Sequence, residues 1–330
     1  MKLPRRKFLH LAAGAAALAC TAMLFSSDGT SQDQEMKIVV TFPRGSGGDL
    51  MTRIAAEHIS RKHGVSVTFE NSAAAAGTAA VARAAPDGNT LLMINNNFVV
   101  DSNLRKLTPD PLVDFEPVCN LASAQNLFVV DAAAPYRTLS DLITAARAKP
   151  GEVTMTAVPG TTQHLGLEML RIAAKVNMTF VPATGGSINN VLGGNAPLAM
   201  LLDGRAVLAL QNYQNPLEHL KSGRLRALAS ASRKRLEALP DLLTVDELGY
   251  KGYDLDLWDG IFAPAKTSKG KIALLISWFS EALQEPTVRS KIMAEALIPV
   301  GACGGEFVSF IRKQQEAYGR IVNEANIKVQ

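Results

Sequence analysis

The chain has 330 residues, 47% apolar and 19% charged, which excludes general disorder and at roughly 150 residues per domain points to two domains. Three cysteines are too few for a disulfide framework or a Cys-rich zinc module. The net charge of +4 is concentrated at the start, where Lys2, Arg5, Arg6 and Lys7 face only Asp28; the remainder is near neutral, which argues against a nucleic-acid binder.

Pro4-Arg5-Arg6-Lys7-Phe8-Leu9-His10 leads into an apolar run ending at Phe25, the pattern of a twin-arginine export signal. The run is close to the lower limit for a membrane span, so an uncleaved anchor is the competing reading. Cys20 lies within the run and is assigned to the removed segment. Cleavage is expected between Ser26 and Gln32, giving a signal of residues 1–32 and a soluble periplasmic body.

Beyond the signal, Lys37–Thr41 is β-branched and suits a buried strand. A glycine-rich loop from Phe42 to Asp49 leads into a helix over Leu50–Lys62. Val65–Glu70 is a second strand, Asn71–Gly77 a loop, Thr78–Ala85 a helix and Thr90–Ile94 a third strand. This β-α-β-α-β alternation predicts a parallel sheet with helices on both faces.

A second series begins near residue 136. Thr138 or Ser140 caps a helix running to Lys149. Val153–Ala157 is a strand, Val158–Gln163 a loop, His164–Lys175 a helix and Met178–Val181 a strand. Further strands fall at Leu225–Ser230 and Trp258–Ala263. Helical segments follow at Lys269–Leu283, Pro286–Ala294 and Gly305–Ala325.

Four junctions rich in small and hydroxylated residues precede expected helices: Gly45–Asp49, Ala74–Thr78, Gly160–Thr162 and Gly185–Ser187. Free N–H groups at a helix start attract carboxylate or phosphate, and small side chains let a ligand approach the backbone. Gly45-Ser46-Gly47-Gly48 has neither the dinucleotide fingerprint nor Gly-Lys-Ser/Thr, and it is not a nucleophile elbow.

Arg44, in the first of these loops, either pairs with a ligand carboxylate or faces solvent. Arg205 is a weaker candidate of the same kind. His164 and Glu168 share a helix face but lack a third metal ligand; they read as a capping or packing histidine and a solvated glutamate. Trp258 either stacks on a ligand or packs in the core. Cys119 and Cys303 read as two buried or isolated thiols, although an oxidising compartment permits a disulfide.

Taken in order, the motifs resemble the Bug-type extracytoplasmic solute receptors, the substrate-binding subunits of tripartite tricarboxylate transporters. The resemblance is carried by Ile38–Pro43 with Gly45 and Asp49, Glu70-Asn71 with Gly77, and Ala85–Leu92. Asp114–Val118, Gly160–Leu165, Val181-Pro182 with Gly185, and Leu192–Gly194 continue it. Gly223–Ala229, Trp258 with Phe262–Pro264, Pro299–Gly301 and Glu306-Phe307 complete it.

The resemblance implies an α/β, two-lobed periplasmic-binding-protein architecture of the type II-like, Venus-flytrap kind. Lobe one would hold residues 33–134 and 258–330, and lobe two residues 135–257. It implies a monomer that captures a small organic acid in the interlobe cleft and delivers it to membrane permease subunits, with no cofactor, metal or catalytic residue. On matching positions the ligand would meet Phe42, Gly45, Ser46 and Asp49 from the first loop, and Thr161, Thr162 and Gly185 from the second lobe, with Arg44 as a possible anion anchor.

This chain departs from the family's pattern at Arg44, Gly48, Ala73–Ala76, Ala183-Thr184 and the segment 195–215. A sensory receptor reporting to a membrane kinase would use the same cleft. A secreted hydrolase built on Ser46 or Thr161 with His164 is the alternative from another class.

Overall fold

The computed structural model describes residues 35–105, 109–183 and 195–328. The expected signal of residues 1–32 and the candidate ligand residue Gly185 lie outside the described residues.

The first sheet has the strand order β11-β4-β10-β3-β1-β2. Its members are β1 (Glu35–Val40), β2 (Ser66–Asn71), β3 (Thr90–Asn95), β4 (Phe115–Ala124), β10 (Leu257–Pro264) and β11 (Ile298–Cys303). Strand β1 runs parallel to β2 and β3, as the alternation predicts. The sheet is nevertheless mixed, because β10 returns antiparallel between β3 and β4, and β11 pairs antiparallel with β4. This corrects the expectation of a parallel sheet: the β-α-β-α-β pattern covers three strands, and the others arrive from distant parts of the chain.

The second sheet, ordered β7-β6-β8-β5-β9, is mixed too. It contains β5 (Asn126–Asp131), β6 (Thr154–Ala157), β7 (Thr179–Pro182), β8 (Leu208–Asn212) and β9 (Leu225–Ser230). The chain passes from one sheet to the other at Gln125 and returns ahead of Leu257. The two crossings are tied together, since the Asn126 side chain donates to the Leu255 carbonyl at 2.9 Å.

The helices are α1 (Gly47–His63), α2 (Ala74–Ala82), α3 (Asn97–Leu104), α4 (Leu139–Ala148), α5 (Thr162–Ala174), α6 (Asn195–Leu202), α7 (Leu217–Lys221), α8 (Lys269–Gln284), α9 (Pro286–Ala294) and α10 (Gly305–Glu324). Their ends follow local chemistry. Thr138 and Asp141 form a reciprocal capping box on α4. Gly64, at φ +67°, ends α1 in the left-handed conformation that glycine adopts without penalty. Helix α2 starts at Ala74, four residues before the expected start, because alanine continues a helix readily.

Alternation along β1 divides the core. Ile38 and Val40 pack with Met51, Ala55 and Ile59 of α1 and Phe279 of α8. Val39, on the opposite face, joins Phe98, Trp258, Phe262 and Phe307 in a cluster that continues through Phe128, Leu142 and Leu165 of the second sheet's layer. One continuous apolar layer therefore supports both sheets. Trp258 is 1% exposed and edge-on to Phe307, so it is a core residue.

Cys119 and Cys303 face each other across β4 and β11 and form a disulfide, which corrects the expectation of two thiols. Their 184-residue separation hides the pairing in the sequence. Closing so long a loop stabilises the fold by roughly 5 kcal/mol in the chain-entropy account. Among the described residues no helix is long and apolar enough to cross a membrane.

Candidate functional site

The loop Thr41–Ser46 carries the chain from β1 into α1. Gly45 stands at φ +83°, and the Ser46 N–H donates to the Pro43 carbonyl at 3.1 Å, making a tight turn. The turn is pinned from below by Asp49, which is 1% exposed. Its Oδ2 accepts from the Gly45 N–H and from Arg53 Nε, both at 2.9 Å. Its Oδ1 accepts from a second Arg53 nitrogen at 3.0 Å and from Asn71 Nδ2 at 2.9 Å. Asn71 also donates to the Phe42 carbonyl at 2.8 Å.

Burial acts to raise the Asp49 pKa, but these donors outweigh it and hold the carboxyl below its ordinary value. Asp49 is thus saturated by the protein, and what it presents to a ligand is the shape of the loop.

The first turn of α1 is open in a way that the loop's own side chains do not correct. Ser46 is the N-cap residue but makes no side-chain cap bond, and its Oγ is buried without a hydrogen-bond partner. Phe42 packs its ring on Gly48 so closely that a Cβ there would lie 2.9 Å from it. Gly47 lies under the Gln214 amide with somewhat more room, a Cβ there standing 3.3 Å from the nitrogen. Gln214 follows β8 of the second sheet and donates to the Glu295 carbonyl beyond α9, so it bridges from the second sheet's layer to the start of α1. Arg44 is exposed at the loop's tip, with no ion pair among the described residues.

At α5 the same local design is closed. Gly160 stands at φ +77°. The Thr161 hydroxyl caps the helix, accepting from the His164 N–H at 3.3 Å and donating to the Val158 carbonyl at 2.8 Å. Thr162, fully buried, donates through its N–H at 2.8 Å and its hydroxyl at 2.7 Å to Asn97 Oδ1; the hydroxyl also lies 3.1 Å from Asn96 Oδ1. Asn96 in turn donates to the Asp256 carbonyl at 2.8 Å, beside the return crossing. The groups that Thr161 and Thr162 offer are therefore already engaged within the protein. Asn96, Asn97 and Gln214 are the residues that sequence reasoning missed. The Asn95-Asn96-Asn97 run at the end of β3 was the available signal, since asparagine is a preferred N-cap.

His164 stacks on Phe180 with ring centroids 3.9 Å apart, and its Nδ1 accepts from the Gly160 N–H at 3.2 Å. Burial lowers its pKa to about 4, so the ring is neutral at pH 7 with its proton on Nε2. It is the capping and packing histidine expected. Glu168 departs from expectation: it is 6% exposed and paired with Arg171 at 2.6 Å rather than solvated. Arg205 pairs with Asp203 at 3.1 Å on the surface. Among the described residues no group of three or more His, Cys, Asp or Glu side chains is placed to hold a metal ion.

Two mixed sheets joined by two crossings, with a glycine loop opening onto a helix start in each, define the class: a two-lobed binding protein. Comparison with known proteins gives the family. The model of the tripartite tricarboxylate transporter family receptor, TctC, matches residues 51–327, and the chain belongs to that family. Protein BugT of Bordetella pertussis is 30% identical over 303 residues, which cover 89% of this chain and 90% of BugT. The structure of the periplasmic binding protein BugD superposes with a TM-score of 0.72 at 25% identity, covering 90% of this chain and 99% of that one. Rpa4515 of R. palustris with adipate superposes at 0.74 with 26% identity, covering 90% and 99%.

Proposed function

We propose that the protein is exported through the signal of residues 1–32 and works in the periplasm as a monomeric receptor. It captures a small organic acid between the lobe built on the first sheet and the lobe built on the second, which the chain enters at Gln125 and leaves ahead of Leu257, and passes it to the permease subunits of a tripartite transporter. The observation that carries this reading is the unfilled start of α1. Its N-cap hydroxyl is buried and unpartnered, its next two residues are glycines that offer no side-chain acceptor, and the turn is uncapped by any side chain of the loop. Such a terminus favours a carboxylate through its free N–H groups and its dipole. Family membership and the adipate-bound relative support an acid as the ligand.

Phe42, Gly45 and Ser46 form the receiving loop, Asp49 holds it, and Arg44 reaches the carboxylate from the exposed side. Thr161 and Thr162 stand on the opposing lobe, where their own groups are spent on holding the start of α5 rather than on the ligand. The test is a thermal-shift screen of residues 33–330 against mono-, di- and tricarboxylates. An acid at ~100 times its Kd adds about 2.7 kcal/mol of stability. One class of acid should raise Tm, and Arg44→Ala should remove most of the shift. No shift with any acid contradicts the reading.

A further inference from the structure

Asp259 is a buried acid that the receiving loop does not explain. It lies on β10, is 3% exposed, and its Oδ1 is buried without a hydrogen-bond partner. The preceding residue fixes its direction. Trp258 faces α10, edge-on to Phe307 and donating through Nε1 to Gln314, so by strand alternation Asp259 faces the other side of the sheet. That is the side on which Ile261, two residues on, packs with α1 and α8.

The strand register places Asp259 along the sheet as well. It pairs with Asn95, the last residue of β3, and with Ala122 of β4. Ala122 pairs in turn with Pro299 of β11. Leu297, two residues before Pro299, packs its side chain beside Gly47 in the first turn of α1. Asp259 therefore stands at the carboxyl end of β3, level in register with the loop that leads from β1 into α1, on the face that α1 covers.

Two places of opposite character thus share one corner of the fold. The start of α1, with the Ser46 hydroxyl, suits a carboxylate. A carboxyl in apolar surroundings with no cation against it is costly to ionise, and burial alone pushes its pKa up to about 7. A cation brought by the ligand would remove that cost, whereas a second ligand carboxylate would add to it.

We infer that Asp259 determines specificity in this site, selecting carboxylates that also carry a positively charged nitrogen over plain acids of the same length. The inference rests on the receptor reading above and narrows its ligand class. Asp259 receives the ammonium, and the loop Phe42–Ser46 with the first turn of α1 receives the carboxylate.

The test uses matched acids that differ by the nitrogen: L-aspartate with succinate, L-glutamate with glutarate, and 4-aminobutyrate with butyrate. Each is titrated calorimetrically into residues 33–330 at pH 8. At least one amino member should bind roughly 10-fold or more tightly than its plain partner, the usual effect of one charge-assisted hydrogen bond. Asp259→Asn should abolish that preference and leave the plain acid's affinity equal or improved. Circular dichroism checks that the variant is folded, and the wild-type comparison stands without it. Equal or tighter binding of the plain acids overturns the inference and leaves the receptor reading intact, as does a preference that survives in Asp259→Asn. Binding of none of the six overturns the selection proposed here, while the wider carboxylate screen decides the receptor reading separately.

Discussion

Helices α1 and α5 both start behind a left-handed glycine and a hydroxyl residue, Gly45-Ser46 in one and Gly160-Thr161 in the other. In α5 the hydroxyl caps the helix, and the next residue gives its N–H and hydroxyl to Asn97. In α1 the hydroxyl is buried without a partner, and glycines occupy the next two positions. The difference lies in what the rest of the fold delivers. The end of β3 brings Asn96 and Asn97 to α5, whereas α1 receives Gln214 only as a cover. A local anion-binding pattern is thus a site only where no tertiary partner has already taken its donors.

The largest effect should come from removing what shapes the open end. Asp49→Ala removes the carboxylate that Arg53, Asn71 and the Gly45 N–H share, leaving Asn71 only the Phe42 carbonyl and Arg53 only a longer bond to Asn71. The loss should be about 3 kcal/mol in urea unfolding, at the lower end for a broken buried pair because Arg53 is partly solvated. Acid binding should fall with it.

The closed end should respond to pH. His164 is held neutral in the fold, with a pKa lowered to about 4 from 6.5, so the unfolded chain binds more protons between those values. Its contribution is complete above pH 6.5 and is lost as pH falls toward 4, by roughly 3 kcal/mol. His164→Phe should flatten that part of the stability profile, measured by urea unfolding at pH 4.5 and 7.

Thr162→Val removes the hydroxyl donor to Asn97 and Asn96 and should cost about 2 kcal/mol. Its acid affinity should change little. Arg44→Ala should do the reverse. Its side chain is exposed, so Tm should stay within the scatter of surface substitutions, about 0.5 kcal/mol, while affinity drops.

The sequence showed the elements whose patterns are local. The β-branched run of β1, the helical spacing of α1 and the Thr138 cap of α4 all lie within two or three residues of expectation. It did not show β4, β5, α3, α6, α7, β8 or β11. Strand β4 is central and buried on both faces, so Phe115–Ala124 has no polar alternation, and Pro117 and Asn120 break its apolar run. The candidate loops were legible because glycine and hydroxyl residues cluster there. Which loop stays open was not, because Asn97 lies 65 residues from Thr162 and Gln214 lies 81 from Glu295. Asp259 had a weaker signal, one acid within the apolar strand Leu257–Pro264.

The most direct measurement titrates Ser46→Ala and Thr162→Val side by side with the acid that gives wild type its largest thermal shift. Ser46→Ala removes no hydrogen bond within the fold, so Tm should hold while affinity falls roughly 10-fold. Thr162→Val should melt lower and bind within about 3-fold of wild type, since a shift below ~0.7 kcal/mol is all that loss of a remote contact requires. If Thr162→Val loses binding while Ser46→Ala keeps it, α5 is the open end and the account is wrong.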